Sequence, residues 1–167
     1  IIEDASHSIG SKYKDLPVGN CKYSEITVFS FHPVKIITTG EGGMAMTNDK
    51  KLAAKMERLR SHGITRDISE MDGDSHGPWF YQQINLGFNY RMTEIQAALG
   101  LSQLDRLDSF IIERHKIAEN YDKIISKKIA NIPFRHQDCY SSFHLYIIEL
   151  NLKYLKTTQR EVFERLR

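Results

Sequence analysis

The order of hydrophobic and polar positions predicts an alternation of short strands and longer helices. The chain starts with apolar residues, and the stretch from Glu25 to Phe31 is rich in β-branched and aromatic residues, as strands are. Pro33 and three nearby glycines interrupt this pattern before it resumes over Met44 to Thr47. Residues 31–43 are therefore predicted to form a loop between two strands, a common location for functional side chains.

Later parts of the chain have the apolar spacing of amphipathic helices. The predicted helices cover residues 49–61, 94–107, 109–125 and 157–166. Thr93 and either Thr157 or Thr158 are suitable N-caps for two of them. Residues 65–78 carry charges and glycines without apolar periodicity and are expected to form a surface loop. Residues 143–150 are predicted to form a further strand.

A change in composition near residue 130 indicates a domain boundary. We expect residues 1–130 to belong to a larger domain that includes the packing helices, and residues 131–167 to begin a smaller one. The first residues are typical of the end of a buried strand, and the last helix stops at Arg167. We therefore expect the chain to be the C-terminal part of a longer protein's large domain plus the start of its small domain.

Composition and charge narrow the class of partner. The 167 residues include 23 Lys+Arg and 21 Asp+Glu, giving a formal net charge of +2, and 41% are hydrophobic. No apolar run approaches the roughly 20 residues that span a bilayer. No basic block provides the concentrated positive face that nucleic acid or an anionic membrane requires. A small-molecule partner is expected, with neither nucleic acid nor membrane.

The cysteines and histidines indicate neither a disulfide framework nor a metal site. Cys21 and Cys139 are far apart and form no CxxC pair, which fits a reducing cytoplasm. His136, Cys139 and His144 do not have the spacing of a zinc site. We expect no metal and a cytoplasmic location.

Polar residues near the first strands provide the groups that pyridoxal phosphate chemistry needs. Lys35 lies among apolar neighbours and is a candidate Schiff-base lysine. Asp4 ends a predicted buried strand, where a carboxylate needs a cationic partner such as a protonated pyridine nitrogen. His7 is near enough to contact the same ring, and Ser30 offers a hydroxyl for a phosphate. Alone, each has a simpler interpretation as a surface, capping or packed residue, but the combination is much harder to obtain by chance.

Three motifs in this order resemble the DegT/DnrJ/StrS sugar aminotransferase family. They are Glu3–Gly10 (EDASHSIG), Phe29–Lys35 with Thr38–Gly43 (FSFHPVK and TTGEGG), and Gly87–Ala98 (GFNYRMTEIQAA). The resemblance covers nearly the whole chain and is strongest to the transaminases of pseudaminic acid biosynthesis. It implies the α/β fold of type I pyridoxal-phosphate enzymes, which is aspartate aminotransferase-like. Family members also have a substantial part before the first motif that contributes to holding the cofactor.

The resemblance assigns a role to each matching residue. Lys35 matches the lysine that binds pyridoxal 5'-phosphate covalently, and Asp4 matches the carboxylate facing its ring nitrogen. His7 falls where a Gln or His meets the ring hydroxyl, and Ser30 matches a phosphate ligand. Asn89 matches an asparagine that reaches the phosphate of the neighbouring subunit's cofactor, which implies a homodimer with shared active sites.

Other implications concern the substrate. Arg91, beside Asn89, is a candidate for binding the substrate diphosphate or the same phosphate, whereas the matching stretch His144-Leu145-Tyr146 implies no role. The implied reaction aminates a UDP-linked 4-keto-6-deoxy-N-acetylhexosamine with glutamate as amino donor, in pseudaminic acid or related surface-glycan biosynthesis. The alternatives are a viosamine- or perosamine-type aminotransferase, a sugar dehydratase using the same cofactor, and a non-catalytic regulatory relative. The dehydratases carry a histidine at the lysine position, so Lys35 argues against that option.

Overall fold

The computed structural model describes residues 1–167 and contains ten short strands and four α-helices. The strands are β1 (Ile2–Asp4), β2 (Lys12–Tyr13), β3 (Leu16–Pro17), β4 (Ile26–Ser30), β5 (Gly43–Met46), β6 (Ile64–Thr65), β7 (Gln82–Gln83), β8 (Ala130–Asn131), β9 (Cys139–Tyr140) and β10 (Glu149–Leu150). The helices are α1 (Lys50–Leu59), α2 (Glu94–Leu104), α3 (Leu107–Ile124) and α4 (Gln159–Leu166), with 3-10 turns at Ile68–Glu70 and Leu152–Tyr154. None of these helices combines the length and the apolar character needed to cross a membrane.

A three-stranded sheet in the order β1-β4-β5 forms the base of the predicted site. Strands β1 and β4 run parallel, with Asp4 opposite Val28, and β5 pairs antiparallel with β4, with Gly43 opposite Ser30. Because parallel strands end at the same edge of a sheet, Asp4 and Ser30 both lie toward that edge. The other sheets are β3-β2-β9, β6-β7 and β8-β10.

The hydrophobic core packs directly behind this sheet edge. Ala5, Phe29, Phe31 and Ile37 form its buried centre, and Leu107 and Phe110 of α3 pack against them. The close approach of α3 depends on Gly10, since a Cβ there would lie 2.1 Å from Cδ1 of Ile111. The start of α3 is thus fixed against the segment that follows β1.

The predicted loop 31–43 is present and folds back on the end of β4. The amide of Thr39 and the hydroxyl of Thr38 both donate to the carbonyl of Phe31, at 3.0 and 2.9 Å. Ile36 and Ile37 are buried, at 5% and 3% exposure. The hydrogen bonds to Phe31 and the burial of Ile36 and Ile37 therefore hold the loop in a defined conformation.

The predicted helices are confirmed, with shifted boundaries. Asp49 caps α1, accepting from the amides of Lys51 and Leu52. Thr93 forms a reciprocal capping box with Gln96 at the start of α2, and Thr158, one of the two predicted caps, does so for α4. Helix α2 ends at Leu104 rather than 107, because the chain turns there into α3.

One prediction from apolar content was wrong. Residues 143–150 do not form one strand: only β10 is extended and paired, with β8, and Phe143 has a positive φ of 47°. Tertiary contacts outweigh the local pattern there.

The surface loop predicted at residues 65–78 is confirmed, since nearly all of its residues are exposed or half-buried. It begins at Thr65 of β6 and includes the 3-10 turn Ile68–Glu70. An ion pair between Arg58 and Glu70 ties that turn to α1.

Candidate active site

Asp4 lies at the end of β1 as an ionised carboxylate. One oxygen, Oδ1, accepts hydrogen bonds from the hydroxyl and the backbone amide of Ser6, at 2.5 and 3.0 Å. These bonds hold the pKa of Asp4 below its ordinary value, and the positive charges of His7 and Lys35 lower it further. Hydrogen bonds to the charged form favour that form, so Asp4 keeps its negative charge at neutral pH.

Lys35 enters the same region from the loop between β4 and β5. Its amide donates to the carbonyl of His32 at 2.9 Å, which closes a turn after the strand. The side chain is half-buried, and the buried residues Ile36 and Ile37 follow directly. Asp4 and Lys35 lie at and after the ends of neighbouring strands of the same sheet, and the positive charge of Lys35 contributes to lowering the pKa of Asp4.

Ser30 is the last residue of β4 and lies at the same edge of the sheet. Its Oγ accepts a hydrogen bond from the amide of His32 at 3.4 Å, and the side chain is half-buried. The lone pairs and hydroxyl proton of such a serine leave capacity for an anionic oxygen.

Asn89 and Arg91 lie on a segment that is attached to the end of α1, where Phe88 and Tyr90 donate to the carbonyls of Leu59 and Arg60, at 2.7 and 2.9 Å. The side chains of Asn89 and Arg91 are exposed, and no hydrogen bond or ion pair joins them to the other predicted site residues. The next residue, Met92, packs against the core behind the sheet edge and lies close to Gly42 in the loop that carries Lys35. The segment therefore borders the group formed by Asp4, His7, Lys35 and Ser30 without a direct bond to it.

His144 is a site residue whose role the sequence did not indicate. Its ring packs edge-on against His7, with the centroids 4.4 Å apart and the planes at 61°. Burial holds the pKa of His144 below its ordinary value, and the positive charges of His7, Lys35 and Arg114 lower it further. Its Nδ1 is the one buried side-chain nitrogen or oxygen without a hydrogen-bond partner. The only sequence signal was the unexplained His-Leu-Tyr pattern.

These residues fit the chemistry of pyridoxal phosphate. The cofactor requires an anion for its ring nitrogen, an amine for covalent attachment and donors for its phosphate. Asp4 is an ionised carboxylate, Lys35 provides the amine nearby, and Ser30 adds a hydroxyl at the same sheet edge. One buried polar atom beside His7, Nδ1 of His144, has no hydrogen-bond partner within the chain.

Comparison with known proteins agrees with this chemistry. Residues 1–167 match the DegT/DnrJ/EryC1/StrS aminotransferase family. The chain is 40% identical over 167 residues to a UDP-4-amino-4,6-dideoxy-N-acetyl-beta-L-altrosamine transaminase of Campylobacter jejuni, covering 99% of this chain and 41% of the relative. It is 38% identical over 146 residues to a GDP-perosamine synthase of Escherichia coli O157:H7, covering 87% and 35%.

Solved structures show the same relationship. Helicobacter pylori PseC, an aminotransferase involved in the biosynthesis of pseudoaminic acid, aligns with a TM-score of 0.82 and 34% identity over 98% of this chain and 42% of that one. The PLP form of Spr1654 from Streptococcus pneumoniae aligns with a TM-score of 0.77 and 32% identity over 90% and 37%. The expected α/β fold of type I is thereby confirmed, and the chain spans about two fifths of the length of these relatives. On its residues, its motifs and its fold, the chain belongs to the DegT/DnrJ/EryC1/StrS aminotransferase family.

Proposed function

We propose that this chain supplies the catalytic lysine and the ring-nitrogen carboxylate of a pyridoxal-phosphate-dependent sugar-nucleotide aminotransferase. The observation that carries the proposal is that Asp4, His7 and Lys35 lie at or just after the ends of the paired parallel strands β1 and β4 at one edge of the sheet. The division into a larger domain up to residue 130 and the start of a smaller domain after it is part of this proposal.

Asp4 keeps the ring nitrogen positively charged. Pyridoxal phosphate supplies an electron sink when bound, and a positive ring nitrogen strengthens that sink. Because Ser6 holds Asp4 in its ionised form, the carboxylate is ready to pair with the ring without first losing a proton. His7, three residues after Asp4, would hold the ring hydroxyl.

Lys35 provides the amine that binds the cofactor and then moves a proton at its Nζ. The buried residues after it fix the backbone, so the flexible side chain alone has to move. Ser30 binds the phosphate at the end of β4. Asn89 and Arg91, both exposed, serve the site of a second subunit: Asn89 contacts the partner's cofactor phosphate and Arg91 the substrate diphosphate.

The substrate class is a nucleotide-linked 4-keto-6-deoxy sugar, with glutamate as amino donor. The Campylobacter and Helicobacter relatives support a UDP-linked N-acetylhexosamine and a role in pseudaminic acid or related glycan biosynthesis. A cytoplasmic location is part of the proposal. The perosamine synthases support a GDP-linked 4-keto sugar as the alternative. Lys35 favours amination over sugar dehydration in either case.

Borohydride trapping tests the role of Lys35. The full-length protein containing this chain is incubated with pyridoxal phosphate, reduced and mapped by peptide mass spectrometry. We expect a phosphopyridoxyl group on Lys35, none in Lys35→Arg, and an unchanged adduct in Lys55→Arg, whose exposed lysine lies on α1. An adduct elsewhere, or none in the wild-type protein, would refute the proposal.

Product analysis tests the reaction. The full-length protein is incubated with glutamate and either a UDP-linked or a GDP-linked 4-keto-6-deoxy sugar. The masses of the products are measured by mass spectrometry. We expect an amine in place of the ketone and stoichiometric 2-oxoglutarate. Loss of a hydroxyl without nitrogen incorporation would show a dehydratase instead, and absence of any product despite cofactor binding would favour a non-catalytic relative.

A further inference from the structure

The ring of His144 reaches the candidate site from the far end of the chain and packs edge-on against His7, at 4.4 Å between centroids. We propose that His144 is a positioning residue whose ring fixes the orientation of the His7 ring at the end of β1. The importance of that orientation rests on the proposed function, in which His7 faces the cofactor. The packing itself does not depend on that function.

The backbone before His144 is hydrogen-bonded to the segment that follows β1. The amide of Ser142 donates to Ser11 Oγ at 3.0 Å, and the Ser142 hydroxyl donates to the carbonyl of His7 at 3.4 Å. Ser142 is fully buried. The segment that carries His144 therefore holds both the backbone and the ring of His7.

On the other side, the same segment is attached to α3. Arg114 donates from one nitrogen to the carbonyls of Phe143 and His144, at 3.0 and 3.4 Å. Helix α3 also supplies His115, which bonds the carbonyl of Ser141 at 2.8 Å. The backbone at His144 is thus held from two sides, and it cannot move away from His7 without breaking these bonds.

Phe143 shows that the conformation before His144 is imposed by its surroundings. Its φ of 47° lies in the left-handed region, which is unfavourable for a bulky residue. The side chain is nevertheless buried, at 8% exposure, and the guanidinium of Arg135 lies 4.9 Å from its ring centroid. Backbone conformations of this kind persist where the surrounding contacts over-determine them, and they concentrate at functional sites.

The contribution of His144 is the shape of its ring. The side chain makes no hydrogen bond, and its buried Nδ1 has no partner. Burial and the nearby positive charges of His7, Lys35 and Arg114 disfavour its protonation, so it packs against His7 as an uncharged ring. A phenyl ring is likewise planar and aromatic, although larger, and it lacks the unpartnered nitrogen. Phenylalanine is therefore expected to replace His144 in this role, whereas alanine is not.

The experiment compares three variants of the full-length protein: His144→Ala, His144→Phe and the control His136→Ala. His136 lies on the other side of β9, and its ring contacts only local neighbours, accepting from the amide of Asp138 at 3.2 Å. Crystal structures without cofactor report the orientation of the His7 ring, and absorbance titration reports the Kd for pyridoxal phosphate. Thermal unfolding shows whether each variant is folded.

We expect His144→Ala to release the His7 ring into another rotamer or into several, and to raise the Kd about 2- to 10-fold, the value of one aromatic contact. His144→Phe and His136→Ala should keep the ring orientation and a Kd within about twofold of wild type. An unchanged His7 ring in His144→Ala overturns the proposal. So does a His144→Phe protein that is folded but as disturbed as His144→Ala, because the nitrogen and not the ring would then matter.

Failure here is distinguishable from failure of the proposed function. The His7 orientation is measured without cofactor, so it responds to His144 whether or not Lys35 is trapped by borohydride. A reoriented His7 without a Lys35 adduct would leave the positioning role in place and refute the aminotransferase. An adduct on Lys35, together with an unchanged His7 ring in His144→Ala, would support the aminotransferase and refute the positioning role.

Discussion

The charge of Asp4 depends on Ser6, two residues further along the chain. Both the amide and the hydroxyl of Ser6 donate to the same carboxylate oxygen. Because the folded pKa is lowered, the carboxylate stays ionised above and somewhat below pH 3.8. Asp4 should therefore remain ionised throughout the neutral range. Any loss of activity of the full-length protein as the pH falls toward about 5 should come from protonation of another group.

Asp4→Asn tests this charge. The amide keeps the size of the side chain but cannot hold a positive ring nitrogen, so kcat/KM of the full-length protein should fall about 100-fold or more. The measurement is steady-state transamination with the keto sugar that proves to be the substrate. Glu3→Gln is the control, since Glu3 is the adjacent carboxylate and accepts from the buried Thr27 at 2.8 Å. Equal losses in both variants would contradict a specific role for Asp4.

The sequence predicted that Asp4, His7, Ser30 and Lys35 form one group. In the structure these four residues lie at or just after the ends of the parallel strands β1 and β4. Strand ends and the loop between them were sufficient, because all four lie within 35 residues. His144 was not predictable in this way. It meets His7 only through tertiary contacts with α3, and no local periodicity records such contacts.

Helix α2 lies very close to the loop that carries Lys35. A Cβ at Gly100 would lie 2.7 Å from Cγ2 of Thr39, which is itself buried at 3% exposure. Thr39 in turn donates to the carbonyl of Glu41 at 2.8 Å, within the same loop. The absence of a side chain at Gly100 therefore allows the helix and the loop to pack.

Gly100→Ala is predicted to destabilise the full-length protein. Alanine in a helix normally gains about 0.5–1 kcal/mol over glycine, yet here the methyl group would displace a buried neighbour. Chemical denaturation should show a lower midpoint than wild type, and cofactor release should be faster as the loop shifts. The control is Ser102→Ala on the exposed part of the same helix. A Gly100→Ala protein more stable than wild type would contradict this packing.

The segment 143–150 shows why an apolar run failed to form a strand. The Tyr146 hydroxyl donates to Asp122 of α3 at 2.7 Å, and Arg135 pairs with the same carboxylate at 2.7 Å. Burial and the neighbouring carboxylate raise the pKa of Tyr146 to about 12. Side-chain bonds to a helix thus replace the ladder of hydrogen bonds that a strand would make.

Tyr146→Phe should lower the free energy of unfolding by about 1–2 kcal/mol, because it removes a hydrogen bond to a charged group. Equilibrium denaturation of the full-length protein measures the change, with the exposed Tyr154→Phe as control. Absorbance titration should show one tyrosine ionising near pH 12 in the wild type and lost in the variant. A change no larger than that of Tyr154→Phe would show that this bond is not stabilising.

The solvent-accessible surface of the chain is larger than expected for a compact protein of the same mass. A compact monomer of 19.4 kDa has an accessible surface of about 8,500 Å². This chain exposes 12706 Å², and only 14 of its 167 residues are buried. The excess, about 4,000 Å², is in the range of obligate interfaces. Exposed apolar residues include Leu86, Tyr90 and Ile95, near the segment that we propose contacts a second subunit.

Residues 1–167 produced alone should therefore bind the dye ANS strongly and associate into oligomers. The full-length protein should bind little dye and elute as a defined dimer, because the rest of the protein and the second subunit cover these residues. Fluorescence and size-exclusion chromatography with light scattering measure both. A monodisperse, dye-free chain 1–167 would show that its exposed apolar surface does not need a partner.

The bond between Ser142 and His7 joins residues 135 positions apart, and this distance sets an order of events during synthesis. At about 5–20 residues per second, a ribosome completes the second residue roughly 7–27 s after the first. During that interval β1, which bears Asp4, has been synthesised, but the segment around Ser142 that holds His7 has not. Nascent chains therefore pass through a period in which Lys35 exists but the contacts that hold His7 do not, so cofactor loading is expected only after Ser142 has been made.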